Sequence, residues 1–574
     1  MMKKVLYVPL DDRPANLADV ISLGRTAGLE IIVPPTEATA NRLDTIVYSD
    51  GPLVTATSDP VYGRPELIRS FILAQAACVD GFVLSIDMLV YGGLIGSRRL
   101  RSADEPTGDN QAPDEATRLL LDVIREVKTA HPDKPLFVLD TLMRLATTTF
   151  ADGLNFEAYE ESRQLMTQPR LPADTFESIL EGYDLRPDGT AYEDTVHLDK
   201  AAYYRTRRHK LRTTRYVLEE LTAAGCIDFL AIGVDDAYTE GAQANEIAWV
   251  EERINTLLGG SDGQNPERAI ILPDADGLGH SLVGRIAARL VGCDRPPVSY
   301  AIRYYGPHGA GLINPYEYMS VHANILRHID MIGGRLADAD ETPEIDIIAV
   351  TAADQAAPAV AQLEANGQSE QATAFIDFTG FVSHPDVTSA LLASPWTGRL
   401  LGYSAWNTAG NKIGLSLGMA QARYAALTGL SAPAALDAAM DAHGSLLFKR
   451  FLKDYYYKAV AIADIRQLSR SRSLYTNVTA DQLMRLFNSE CDYAELTTLL
   501  RELMQSHTDT LRGQTAFLAG GEDAACGIRQ ICEDGWRLAA YADAELPWDS
   551  PAFTWGRAFE IDLAPSVELV ACHP

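Results

Sequence analysis

The stretch FLAIGVDDAYTEGAQANEIAWVEERI, residues 229–254, contains the elements that decide the fold. Six apolar or small residues lead into two adjacent aspartates and a polar loop, and a helical pattern follows from Gln243 to Leu258. The apolar run does not alternate strictly, which suits a strand buried on both faces, as in a parallel sheet. Its acidic end and the helix that follows describe a strand that stops at an open edge before the chain returns over the sheet.

Nine further runs have the same form. They are KKVLYVPLDD (3–12), LEIIVPP (29–35), GFVLSID (81–87), PLFVLDT (135–141), AIILPDAD (269–276), VSYAIRYYG (298–306), IDIIAVTAAD (345–354), TAFIDFTG (373–380) and RLLGYSAWN (399–407). Helical patterns such as Glu66–Cys78, Glu115–Thr129, Tyr203–Ala224 and Ser281–Leu290 lie between them, so an α/β architecture with parallel strands is expected. Ten strands exceed the eight of a (β/α)8 barrel. The favoured reading is a modified, TIM-like barrel over residues 1–430, because polar residues gather where the strands end. Two doubly wound domains are the alternative. Residues 431–574 read as a mainly helical C-terminal region (Ala432–His443, Leu446–Leu468, Ala480–Gln505), with RSRS at 470–473 as a loop and two closing strands, FEIDL (559–563) and VELVAC (567–572).

The chain has 574 residues and a net charge of −29, which is a poor footprint for nucleic acid or an anionic membrane. Hydrophobic residues make up 47%, enough for a large core. The acidic stretch 102–116 reads as a solvated insertion. Seven scattered cysteines with no CxxC pair argue against a disulfide framework or a zinc site. The N-terminus falls short of the roughly 7–15 apolar residues of a signal peptide, and no run approaches the ~20 of a membrane span. A soluble cytoplasmic protein is therefore expected, with its oligomeric state left open.

Asp235 and Asp236 are the sharpest chemical feature. Two carboxylates a few ångströms apart do not both ionise easily, so one is held as a proton donor, as glycoside cleavage requires. The alternative is that one aspartate caps the next helix while the other is solvated. Other strand ends supply Asp11, Asp12 and Arg13; Asp87, followed by Arg98; Asp140 and Arg144; Asp274, Asp276 and His280; and Trp406, Asn407, Asn411 and Lys412. Any one of these could be a cap, but six such ends together suggest a functional rim. Trp406 with Asn407 suits a pyranose, the ring packing on the sugar's apolar face and the amide bonding its hydroxyls. RYYGPHGAG (303–311) could line the same pocket or form a turn with packed tyrosines. YGGLIGS (91–97) has neither phosphate-loop spacing, and DADGLG lacks the later ligands of a calcium loop. GLSLG (414–418) matches GxSxG around Ser416, but a loop precedes it where a nucleophile elbow needs a strand, so a small-residue helix is expected there.

Taken together, PLDDRP, SIDMLVYGGLIGSR, GVDDA, YYGPHGAG and YSAWNTAGNKIG resemble the bacterial family called domain of unknown function 4127, over essentially the whole chain. That likeness implies no activity. Residues 229–254, followed by a strand ending in Pro273–Asp274, are also similar to the active-site segment of glycoside hydrolase family 84, the β-N-acetylglucosaminidases. In that family a barrel strand ends in two aspartates. The resemblance implies that Asp235 orients the substrate's acetamido group and that Asp236 is the general acid/base. It departs at Val234, where the family has an aromatic residue.

The expectation is a glycoside hydrolase acting on a small glycan or amino-sugar conjugate, with Asp235 and Asp236 catalytic and no cofactor or metal. Asp11, Asp12, Arg13, Asp87, Asp140, Arg144, Asp274, Trp406, Asn407 and Asn411 would bind the sugar. A metal-dependent hydrolase or lyase using the rim aspartates and a non-catalytic sugar-binding protein are the alternatives.

Overall fold

The structure is a computed structural model that describes residues 2–41, 61–99, 111–148, 156–292, 295–472, 490–555 and 557–572. Most of the acidic stretch 102–116 lies outside these residues. Its end forms the start of the helix Glu115–Ala130, capped by the Asp114 side chain.

All ten runs read from the sequence are strands, and all run parallel to their neighbours within two open sheets. The first holds β1 (Lys3–Val8), β2 (Leu29–Ile32), β3 (Gly81–Ser85), β4 (Leu136–Leu142), β5 (Phe229–Val234), β6 (Gln264–Asn265) and β7 (Ala269–Leu272), in the order β2-β1-β3-β4-β5-β7-β6. Only the two-residue β6 is antiparallel. The second sheet holds β8 (Ser299–Tyr305), β9 (Arg335–Leu336), β10 (Ile345–Val350), β11 (Ala372–Asp377) and β12 (Gly402–Ser404), in the order β12-β11-β10-β8-β9.

The single modified barrel is therefore replaced by the alternative reading. Each sheet repeats the 2-1-3-4-5 order of doubly wound folds, in which the first strand lies between the second and the third. Alternation along β1 shows why its sequence is apolar throughout. Val5 and Tyr7 join one core while Leu6 and Val8 join another on the opposite face. The first of these cores continues through Ile348, Val350 and Phe375 of the second sheet into the C-terminal helices, so the two sheets share it.

Two helices tie the sheets together. Leu278–Leu290, after β7, packs on Ala409–Gly429, after β12, at glycine contacts. A Cβ on Gly418 would lie 2.5 Å from the His280 carbonyl carbon, and one on Gly277 would lie 2.9 Å from Gly414 Cα. The GLSLG match is this contact. Ser416 is fully buried within the helix, as a small-residue stripe predicts.

The C-terminal region begins with the helix Pro433–Phe451 and continues without a break as a ten-residue π-helical stretch, Leu452–Ala461, then as the helix Ile462–Arg472. The RSRS loop expectation is corrected to that extent, since the helix runs to Arg472; Ser473 lies outside the described residues. Beyond the helix Glu490–Arg512, β13 (Cys526–Cys532), β14 (Gly535–Glu545) and β17 (Ser566–Ala571) form an antiparallel sheet. β15 (Ala552–Thr554) and β16 (Arg557–Asp562) form a separate hairpin. Asp19, buried in the first helix, bonds to Lys449 at 2.6 Å and Arg450 at 2.5 Å, which fastens the C-terminal region to the first sheet's layer.

Candidate active site

The carboxyl ends of the two sheets open into one cavity of about 510 Å³. Its lining comes from the loops after β1, β3, β4, β5 and β7 of the first sheet and after β8, β11 and β12 of the second. The C-terminal region supplies a further wall from the helical stretch around Lys458–Arg466 and from the hairpin around Thr554–Glu560. A crevice outside the carboxyl ends of parallel strands is where open α/β sheets hold ligands.

Backbone conformation sets the floor. Six non-glycine residues among those described have positive φ, and four of them, Asp236, Tyr316, Asn407 and Trp555, line this cavity. Such conformations are costly for L-residues and concentrate at sites that need particular side-chain directions. At Asp236 (φ 43°) the strand turns, so that two consecutive aspartates both face the cavity. The Ala237 amide then donates to the Tyr316 carbonyl at 3.0 Å, which links the first sheet's β5 end to the second sheet's β8 loop.

The two aspartates sit in different surroundings. Asp235 accepts a hydrogen bond from Arg98 at 2.5 Å and is almost fully enclosed. Asp236 is 35% exposed and meets Arg144 only at 3.4 Å, while that guanidinium also donates to the carbonyls of Ala146 and Thr147. Burial pushes the Asp236 carboxyl above its ordinary range and the neighbouring Asp235 adds to this, against Arg144 and Arg98.

The other residues expected at the site divide into three groups. Arg144, Trp406 and Asn407 line the cavity with Asp235 and Asp236. Trp406 is buried against Phe559, with its indole nitrogen lacking a partner and the Lys453 ammonium 5.3 Å from the ring centre.

A second group borders the cavity but is engaged in holding it together. Arg13 binds Asp11 through Nε at 2.9 Å and Asp276 at 2.5 Å, and Asn16 bridges the same two carboxylates. Asn411 accepts from the Asp276 amide at 3.1 Å. Asp274 is buried, with Oδ1 accepting from the amides of Ala275 and Gly277 at the start of the next helix and Oδ2 without a partner. Burial, then repulsion from Asp276 and Asp235, raises its pKa to about 8. Asp12 accepts from the Trp555 indole at 3.0 Å and from the Asn41 amide at 3.0 Å; burial pushes its pKa up to about 6.

The third group is elsewhere. Asp87 and Asp140 are fully buried around the Lys210 ammonium, which is 3.1 Å from Asp87 and closer to Asp140, with Thr141 and Thr214 completing the cluster. They join β3 and β4 to the helix Lys200–Tyr216 and do not line the cavity. His280 and Lys412 are also buried, the latter donating to the carbonyls of Asp377 and Gly380. The RYYGPHGAG loop lines a separate, open depression.

Sequence reasoning missed Glu317, Tyr316 and Phe381 on the second sheet's side and the whole C-terminal wall. Glu317 is buried and accepts from the Gly410 amide at 2.8 Å, and burial pushes its carboxyl well above its ordinary range. The only available signals were the polar residues in NPYEY and the acidic position within FEIDL. Among the described residues, no group of three or more His, Cys, Asp or Glu is disposed to hold a metal ion. No described helix is long and apolar enough to cross a membrane.

The family described as Protein of unknown function (DUF4127) matches residues 5–564, and the chain belongs to it. No curated protein matches the sequence. One solved structure, a complex of a UDP-glucosyltransferase from Polygonum tinctorium capable of glucosylating indoxyl and 3,4-dichloroaniline, aligns at 11% identity over 78% of this chain and 99% of that one. Its TM-score is 0.17, too low to indicate a shared fold.

Proposed function

Starting from membership in a family without an assigned activity, we propose that the chain is a glycoside hydrolase. Its substrate would be a small glycan or amino-sugar conjugate bound in the cavity between the sheets. One observation carries this reading: two consecutive carboxyls open into one aromatic-lined cavity in unequal surroundings. Asp235 is held by Arg98 at 2.5 Å, whereas Asp236 is loosely held and its pKa is raised by burial and by Asp235. That inequality is what acid catalysis beside a charged partner requires. Asp236 donates its proton to the leaving oxygen. Asp235 orients an acetamido group or faces the positive charge that develops at the sugar ring. Trp406, Tyr316 and Trp555 are among the aromatic residues that line the cavity in which the pyranose would sit. The local likeness to glycoside hydrolase family 84 supports the roles of the two aspartates but not a shared fold, because β5 here belongs to an open sheet.

The test is hydrolysis of aryl β-N-acetylhexosaminides by the wild type, Asp235→Asn and Asp236→Asn. Removing a general acid is expected to lower kcat by about 10²–10⁴-fold. Turnover should persist in EDTA, which separates this reading from a metal-dependent one. Wild-type turnover left unchanged by both substitutions would overturn the assignment.

A further inference from the structure

The pairing of β4 with β5 ends where the Asp235 amide donates to the Leu142 carbonyl at 3.3 Å. Past that point the carbonyls of Met143, Arg144 and Asp235 are met by side chains from two helices. Gln243, fully buried in the first turn of the helix Ala242–Leu258, donates through its amide nitrogen to the Asp235 carbonyl at 2.9 Å and the Met143 carbonyl at 3.0 Å. From the helix Lys200–Tyr216, Arg207 donates to the carbonyls of Met143 at 2.9 Å and Arg144 at 3.1 Å, and Tyr203 donates to Arg144 at 2.7 Å. Arg207 is itself held by Glu246 at 2.5 Å, which accepts from the Tyr183 hydroxyl at 2.5 Å.

Of these donors, Gln243 is the one that joins the two strand ends. One of its carbonyls belongs to Asp235, beside the positive φ of Asp236, and the other precedes Arg144, whose guanidinium meets Asp236 at 3.4 Å. A residue at φ 43° lies outside the conformations that L-residues favour and persists only where its surroundings over-determine it. A buried carbonyl deprived of its donor is costly, so without this amide the turn would relax toward another partner.

We propose that Gln243 is a positioning residue for the aspartate pair: its amide fastens the Asp235 carbonyl to the Arg144 loop and so keeps the strained turn that brings both carboxyls to the cavity. It acts through the backbone, whereas Arg98 and Arg144 act on the carboxyls directly. The proposal rests on the reading of Asp235 and Asp236 as the working pair and names what regulates their geometry.

Titration of Asp236 by carbon-13 NMR, in protein labelled at the aspartate carboxyl carbons, tests it without a substrate. The signal is assigned by its loss in Asp236→Asn. Asp235, Arg144 and Arg98 from the first sheet's loops and Tyr316 from the second sheet's side face this carboxyl. In Gln243→Met, which keeps the length and loses the donor, the turn should relax and carry Asp236 away from Asp235 into water. Its titration midpoint, raised in the wild type, should then fall by about one pH unit. Gln243→Asn, whose amide stops one methylene short, should shift it the same way and serves where Gln243→Met does not fold. Tyr300→Phe removes a buried hydrogen bond to Gln421 in the second sheet and should leave the midpoint in place, which separates positioning from a general loss of stability. A wild-type midpoint in the folded Gln243 variants would overturn the proposal, as would an equal shift in Tyr300→Phe. Failure of both Gln243 variants to fold would make the residue part of the fold alone, and would overturn it too. A shifted midpoint without hydrolysis of any aryl glycoside removes the hydrolase reading and leaves this role standing. Hydrolysis with an unshifted midpoint does the reverse.

Discussion

At the scale of single residues, the same carboxylate chemistry is put to different uses by its surroundings. Asp235 is locked in a tight pair with Arg98, Asp236 is a loosely held carboxyl pushed above its ordinary range, and Asp274 a buried carboxyl raised to about 8. A carboxyl raised on folding stabilises the native state fully below its unfolded pKa, and that contribution is lost as pH rises through the folded value. Asp274 should therefore weaken the fold progressively between about pH 4 and pH 8. Replacing it with asparagine keeps an oxygen for the Ala275 and Gly277 amides and removes the titration. Between pH 5 and pH 9, the wild type should lose at least about 1.4 kcal/mol more stability than Asp274→Asn in urea denaturation, the equivalent of one pKa unit. Parallel pH profiles would refute that role. The sequence made Asp235 and Asp236 visible because both sit at one strand end. It could not separate Asp87 and Asp140 from them, because a strand-end aspartate looks the same whether it meets solvent or a buried lysine such as Lys210.

At the scale of elements, the β15–β16 hairpin and the π-helical stretch are joined through Glu560, Lys453 and the Ala15 amide. Removing one partner of a buried ion pair leaves an uncompensated charge and costs about 3–5 kcal/mol. Glu560→Gln should lower the stability of the whole chain by that order, read by chemical denaturation. The hairpin should also become more susceptible to limited proteolysis near Trp555. A variant as stable and as resistant as the wild type would mean that the pair does not fasten this wall. The elements themselves were legible: all ten parallel strands and most helices follow from apolar runs and 3.6-residue periodicity. The π-helical stretch was not, because its apolar and charged residues also fit an α-helix. The change in side-chain direction that brings Lys458 to the cavity leaves no mark in composition.

At the scale of the molecule, strand–helix alternation is common to a closed barrel and to two open sheets, so counting strands could not choose between them. The choice lies in pairing: β1 sits between β2 and β3, and β8 between β9 and β10, which opens both sheets. What joins them is the glycine contact between the helices Leu278–Leu290 and Ala409–Gly429. A methyl group at Gly418 would press on the His280 backbone and push the two layers apart. Gly418→Ala should destabilise by about 1–3 kcal/mol, the usual cost of overpacking. Under the proposed function it should also weaken sugar binding, since both sides of the cavity hang from those helices. Unaltered denaturation and binding would show that the layers can shift without consequence.

The attachment of the cavity wall to residues 554–560 also has a consequence in time. The hairpin groups that close the cavity emerge from the ribosome more than three hundred residues after the aspartates. A nascent chain halted before the hairpin would already carry both aspartates, yet the pocket around them would still be open. The proposed chemistry would therefore begin only once the hairpin has been made and has closed over the aspartates.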